Sequence, residues 1–353
     1  MAEIVQWSTI KEQFQGNLLV GNGGSIALSR NFSYSSLYEH AKRKALLKPE
    51  AIEIFDKFQK KYRDFERVLF SLWQADYING KFKVEKSESE KVRSGYLKIR
   101  RSLIDAVKDI HPEFGELKSD LVNVGRFITQ FDNVFSLNYD LTLYWASLSI
   151  SDINRNRIED CFTELVTHGS KQKTKTYAFN DDTDDLREPN GINSKATLLF
   201  YPHGNLIIYQ TRATKEEKKI EASADLLLSK ITDMWRKNGN PVFICEGSSE
   251  SKLSSISASK YLTHVFQKEL PRHSDSLTIY GWGMGEQDEH IMEQLKTAKY
   301  ERVAVSIFTG DKSERSLADE IRGIKQKLSD VVPLDEIVFF DSKSAGCWNN
   351  KEV

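Results

Sequence analysis

The sequence predicts an α/β fold, a mostly parallel sheet with helices on both faces, carrying a helical insertion after its first strand. Two observations predict it. Short apolar runs at residues 18–20, 134–137, 277–280, 303–308 and 337–340 are separated, over much of the chain, by segments with helical periodicity. Continuously apolar strands of this kind belong to parallel sheets covered by the connecting helices. Several of these runs also end in small or polar residues, and in an open parallel sheet ligands bind beyond the carboxyl ends of the strands.

In chain order, Leu18-Leu19-Val20 leads into Gly21-Asn22-Gly23-Gly24-Ser25, which predicts a buried strand, a glycine-rich turn and a helix through Ile26 and Leu28. Residues 33–130 then read as the insertion. Phe55, Phe58, Tyr62, Phe65, Leu69 and Leu72 recur at steps of three and four, as do Tyr96, Ile99, Leu103, Val107 and Ile110, and then Leu117, Leu121, Val124 and Ile128. The charge-rich stretch 81–94 reads as a linker between the first two groups. The strand signal resumes at 134–137 and ends in Asn138-Tyr139-Asp140. Residues 154–193 are polar and predict a solvated loop. Its run Asn180-Asp181-Asp182-Thr183-Asp184-Asp185 lacks the glycine and closing glutamate of a calcium-binding hand.

Leu198-Leu199-Phe200-Tyr201 predicts a strand running into Pro202-His203-Gly204, with a second strand at 206–209. Residues 242–245 predict a strand that opens into Glu246-Gly247-Ser248-Ser249. Residues 277–280 do the same into Gly281-Trp282-Gly283-Met284-Gly285, before the final helix–strand alternation. The expected organisation is one sheet domain formed by residues 1–32 and 131–353, with 33–130 inserted.

Composition narrows the function. The 50 Lys+Arg against 51 Asp+Glu leave a net charge of -1, so there is no overall field to draw in nucleic acid or an anionic membrane. No apolar run spans a bilayer and no leader is apparent at the N-terminus, so the expectation is a cytoplasmic protein. Cys161, Cys245 and Cys347 are too dispersed for a disulfide framework or a zinc site and read as incidental thiols.

The polar strand ends are the candidate site. Glycines at 21 and 23 would let backbone N–H groups approach a diphosphate ahead of a helix N-terminus. The third glycine of a dinucleotide fingerprint is missing, because position 26 is Ile. Asp140 suits a helix cap, His203 a turn and Trp282 a core position as readily as a site. Glu246 and Ser248, a carboxylate and a hydroxyl at a strand end, suit ribose or phosphate contacts. His168, in Thr167-His168-Gly169-Ser170, duplicates the His-Gly pair but precedes a polar loop and lacks a strong strand behind it. His111, His264 and His290 read as structural residues of helices.

Taken in succession, Gly21-Asn22-Gly23-Gly24-Ser25, Asn138-Tyr139-Asp140 and His203-Gly204 resemble the ordered signature of sirtuin-like domains. The segment from Gly281 to Asp288 resembles the later aromatic turn of the prokaryotic members, with Gly283 where Ser is usual. The resemblance implies a Rossmann-like, NAD-binding fold. It implies that Gly21, Asn22, Gly23 and Ser25 hold NAD, joined by Gly281, Trp282, Gly283 and Asp288. Asn138 and Asp140 would engage the nicotinamide ribose, and His203 would act as the base, so catalysis falls on Asn138, His203 and Asp140. The deacetylases' four-cysteine zinc ribbon is absent from the sequence and Leu137 stands where they carry Gln. What remains resembles the NAD-consuming effectors of bacterial antiviral defence. The implied activity is cleavage of NAD to nicotinamide and linear or cyclic ADP-ribose, without a metal. A regulatory protein encoded nearby, or self-assembly, is the expected control. The competing readings are an NAD-sensing subunit with little turnover, a deacetylase or an ADP-ribosyltransferase, with a dehydrogenase last.

Overall fold

The computed structural model describes residues 3–33, 37–57, 65–150, 158–168, 173–187, 196–211, 214–237, 239–244, 249–310 and 312–351. Thirteen strands fall in these segments: β1 (Ile4–Val5), β2 (Asn17–Val20), β3 (Asn133–Ser136), β4 (Ile158–Glu159), β5 (Phe162–His168), β6 (Lys173–Phe179), β7 (Thr197–Phe200), β8 (Gly204–Thr211), β9 (Glu217–Lys219), β10 (Gly239–Phe243), β11 (Ser276–Tyr280), β12 (Arg302–Ile307) and β13 (Ile337–Asp341). Eight of them form a sheet in the order β1-β13-β12-β11-β2-β3-β7-β4, and every neighbouring pair is parallel. Leu18 sits opposite both Val134 on β3 and Thr278 on β11. Successive residues of a strand face opposite sides, so the unbroken burial of β2, β3, β7 and β11 means that both faces are covered.

From β2 the chain adds β3 and β7 on one side, then returns to place β11, β12 and β13 on the other. The strand order therefore reverses at the β2–β11 pair. A crevice opens at such a reversal, where connections leave in opposite directions. The fold is the mixed α/β arrangement that the strand–helix alternation predicts.

Between β2 and β3 the described residues are helical, in Leu37–Arg43, Pro49–Asp56, Phe65–Lys81, Lys86–Ile110 and Phe114–Ile128. The charged stretch 81–94 is mostly the start of the fourth helix, and the link between the two helices is the short turn 82–85, where Lys83 sits at φ 53. Phe58 and Tyr62 lie outside the described residues. The last helix opens with a capping box between Glu113 and Glu116 and buries Leu117, Leu121, Val124 and Ile128. Each such burial contributes about 1.5–3 kcal/mol. Phe127 on the same helix meets Trp7 edge-on at 5.4 Å and Trp348 at 6.1 Å, so this helix packs against residues from both ends of the chain.

Three expectations are corrected. The polar stretch 154–193 holds the hairpin β5–β6, in which Phe162 pairs with Phe179 and Leu165 with Thr176. Phe162 and Phe179 pack on Tyr261 while most of the remaining residues are polar, a pattern that reads as a loop when only polarity is weighed. Residues 239–243 form a strand, but it pairs antiparallel with β8 in a second, five-stranded sheet of order β10-β8-β9-β6-β5. His168 does have a strand behind it, since it ends β5. A further strand, β1, carries too few residues to show in the sequence. Among the described residues, no helix is long and apolar enough to cross a membrane.

Candidate active site

Two glycine turns interlock at the strand reversal. Gly21 N–H donates to the Tyr280 carbonyl at 2.9 Å and Gly23 N–H to the Gly281 carbonyl at 2.7 Å. A Cβ at Gly21 would lie 2.6 Å from Trp282 Cα, and one at Gly23 would lie 2.8 Å from Gly281 Cα. Gly281 itself sits at φ +64, with Gly24 N 2.5 Å from where its Cβ would be. These positions therefore need glycine for backbone-to-backbone contact, before any ligand is considered. The N–H groups of Gly23 and Gly24 are spent on Gly281 and Gly21 rather than left for a diphosphate. Trp348 Nε1 braces the loop from the chain's far end by donating to the Gly24 carbonyl at 2.9 Å.

The Asn138 side is a closed hydrogen-bond chain. Asn138 Nδ2 donates to the Gly21 carbonyl at 3.0 Å and to Ser25 Oγ at 2.8 Å. Ser25 Oγ in turn donates to Asp140 Oδ2 at 2.5 Å. Asp140 Oδ1 accepts from Thr142 N–H at 2.8 Å and from its hydroxyl at 2.5 Å, which starts the helix Thr142–Ile150. The Asp140 carbonyl accepts from Asn205 Nδ2 at 2.6 Å. Both Asn138 amide hydrogens are thus committed, and Oδ1 is the amide atom left to accept from a ligand hydroxyl or a water. Asp140 holds Ser25 and the helix start together. His111 stands behind this wall as a neutral imidazole, its Nε2 accepting from Leu141 N–H at 3.0 Å and its Nδ1 bonded to the Pro112 carbonyl at 2.9 Å. Burial pushes its pKa down.

The His203 side is built from titratable groups. His203, 3% exposed in the turn between β7 and β8, places Nε2 2.9 Å from His290 Nε2. The nearby Leu137 carbonyl favours protonation of the His203 ring. A neutral imidazole carries one N–H, so one of the two facing Nε2 atoms donates and the other accepts, and the tautomers decide which. His290 Nδ1 is bonded to Ser249 Oγ at 3.2 Å, and that oxygen accepts the His290 backbone N–H at 3.0 Å. Burial, and then Lys252, push His203 down to about 3, and the same two causes push His290 down to about 4, so both are neutral at pH 7. Lys252 Nζ bonds Asp288 Oδ1 at 2.7 Å, and Trp282 Nε1 donates to Asp288 Oδ2 at 3.0 Å. Burial raises Asp288, but Lys252, His203 and Trp282 together hold it below the usual carboxylate range.

Between the two sides lies a cavity of about 520 Å³, lined by Gly21, Asn22, Gly23, Asn138, Asp140, His203, Lys252, Gly281, Trp282, Gly283 and Asp288 among others. Ser25 sits directly behind it. Residues predicted from four separate parts of the sequence thus share one cavity. A second cavity of about 790 Å³ adjoins it and shares Gly23, Gly281, Trp282 and Gly283. Nothing lies within 4 Å of where a Gly283 Cβ would be, so this turn is open space between the two. Glu246 and Ser248 lie outside the described residues, as do Gly169 and the His168 side chain.

His203, Asp288 and His290 offer ligand atoms within 4.8 Å of one another. The set does not fit a metal ion as it stands. Lys252 and Trp282 hold both Asp288 oxygens, the two imidazoles bond each other, and the cation in the cluster is the Lys252 ammonium.

Lys252 and the pairing of His290 with His203 were not legible as site features. Lys252 sits in the ordinary amphipathic helix Ser249–Ser257, and His290 on a helix face where structural histidines are common. The one available signal was Asp288 two residues ahead of His290 at a strand-end turn.

A family model described as Domain of unknown function (DUF4917) matches residues 18–348, and the chain belongs to that family. No curated protein matches it.

Proposed function

We propose that this chain is an NAD+ hydrolase that cleaves the nicotinamide–ribose bond, and that the same domain organisation, residues 1–32 and 131–353 around the helical segment 33–130, carries the site. One observation carries the reading. Asn138, Asp140, His203 and the Gly21–Ser25 loop, far apart in sequence and ordered as in sirtuin-like domains, meet in one cavity at the strand reversal of a parallel sheet. The smaller cavity takes the nicotinamide ribose. The larger takes the adenosine half, across the open Gly283, where the half-exposed Phe308 ring offers a stacking surface beneath Lys343 Nζ at 4.9 Å.

In this reading Asn138 Oδ1 accepts from a ribose hydroxyl or from the attacking water and fixes its direction. The carbon–nitrogen bond breaks as the water oxygen bonds the ribose carbon. Nicotinamide leaves neutral, and the water's proton passes to His203 Nε2 and on to solvent. Asp140 keeps Ser25, and through it Asn138, in place. Enclosure by Trp282 and Phe32 keeps bulk water from the reacting bond. Uncontrolled NAD cleavage is toxic, so control by a partner protein or by assembly, and a role in antiviral defence, follow from the same proposal.

The sensing alternative gains support from one feature: His203 Nε2 is held by His290 and burial pushes its pKa down to about 3, which makes it a weak base. The test is calorimetric titration with NAD alongside chromatography of the products. Binding with release of equimolar nicotinamide and ADP-ribose supports the hydrolase. Binding without release, alone and with the products of neighbouring genes, makes it a sensor. Absence of binding sinks both.

A further inference from the structure

His290 lies outside the cavity lining, yet it is the group bonded to the nitrogen that the proposed reaction uses. Four observations converge on it. It is 3% exposed, and its Nε2 is 2.9 Å from His203 Nε2. The two rings lie nearly parallel, at 28° and 5.1 Å between centroids. Phe266 backs the His290 ring at 5.9 Å. Ser249, at the start of the helix that also carries Lys252, both accepts from the His290 backbone and bonds its Nδ1, so the ring cannot turn over without losing a partner.

We propose that His290 is a positioning residue for His203, fixing its tautomer and orientation so that the ring is held with a single bare nitrogen, Nε2. The proposal rests on the reading of His203 as the proton acceptor. In this assignment the donors run one way, from Ser249 Oγ to His290 Nδ1 and from His290 Nε2 to His203 Nε2, over the contacts of 3.2 and 2.9 Å. A ligand hydroxyl or water reaches His203 Nε2 by competing with the His290 N–H.

The charged and titratable groups facing the pair come from three elements. Lys252 projects from Ser249–Ser257, Asp288 from the turn Glu286–Asp288, and His290 itself from Glu289–Thr297. Lys252 and His290 disfavour a charged His203, and Asp288 favours one. Removing the His290 ring takes away a donor that stabilises the bare nitrogen and opens the site to water, so protonation of His203 becomes easier. Glutamine at 290 restores an N–H donor without a second titrating ring.

The test is an imidazole NMR titration of His203 in the full chain, assigned with His203→Gln, for the wild type, His290→Ala and His290→Gln, with the acid limb of nicotinamide release measured beside it. His290→Ala is expected to raise the His203 midpoint by about one pH unit or more, and His290→Gln to leave it within a few tenths of a unit. The acid limb should move with the midpoint. An unmoved midpoint in a folded His290→Ala variant overturns the proposal. Equal shifts in the alanine and glutamine variants do the same, because they reduce His290 to packing. Stoichiometric Zn²⁺ binding that both variants abolish would make the pair a metal site instead. If the midpoints shift as expected while the wild type releases no nicotinamide, the hydrolase reading fails and the positioning role stands.

Discussion

The two walls of the cavity are held by different physics. On the Asn138 wall every donor is neutral and already has its partner, from Asn138 through Ser25 to Asp140 and Thr142. On the His203 wall a buried ion pair, Lys252–Asp288, sits beside two imidazoles that share one bond. The first wall sets geometry. The second stores charge in a desolvated place, where one substitution or one proton changes the balance. A site divided in this way keeps its shape while its proton state responds to what enters.

The largest effect expected from breaking this contrast is on the second wall. Lys252→Met leaves the Asp288 carboxylate buried without its cation, and loss of one partner of a buried pair costs about 3–5 kcal/mol. Chemical denaturation should show that loss, and Lys252→Met/Asp288→Leu should recover much of it. Recovery absent from the double variant would mean that the pair is not the source.

On the first wall, Asn138→Ala leaves Ser25 Oγ without its donor and the Gly21 carbonyl with the Gly24 N–H alone, a cost of about 1–3 kcal/mol. Nicotinamide release should fall by about 10²-fold or more at the same time, the scale of losing one positioned polar group. Unchanged turnover with reduced stability would make Asn138 purely structural.

Acid separates the walls more gently. His203 and His290 have folded pKa values depressed to about 3 and about 4. Groups depressed on folding give stability that is full above the unfolded value, about 6.5, and that drains away as pH falls toward the folded one. The Tm should therefore drop between pH 7 and pH 5, and drop less in His203→Gln/His290→Gln. Equal drops in both proteins would assign the effect elsewhere.

The smallest effect on the fold, with a clear effect on the ligand, belongs to Gly283→Leu. The added side chain meets open space, so stability should stay within about 0.5 kcal/mol. It would stand between the two cavities, and NAD affinity should weaken by about tenfold or more, the scale of about 1.4 kcal/mol. An unchanged affinity would place the ligand in one cavity only. Gly23 is a poorer probe, because its substitution disturbs the Gly281 contact first.

The difference between the walls also explains what the sequence disclosed. Gly21 to Ser25, Asn138, Asp140 and His203 each follow a short apolar strand, so their positions at strand ends are a local property that alternation and turn chemistry reveal. Lys252, Ser249 and His290 come from helices, and their place in the cavity depends on how those helices dock, which no periodicity encodes. The second sheet was hidden for a similar reason. β5, β6 and β9 are rich in Lys, Glu and Thr, so they read as polar loop until a partner strand is beside them. The reason for the glycines was also non-local, since the contact that excludes a Cβ at Gly21 comes from Trp282.

Nicotinamide release from NAD by the purified wild-type chain and by His203→Ala, compared at pH 7 with partner proteins present and absent, tests the central claim most directly. Measurable release by the wild type, reduced about 10²- to 10⁴-fold in the variant while NAD still binds, is the expected result. Full release by His203→Ala, or none by a wild-type chain that binds NAD under any of these conditions, would contradict it.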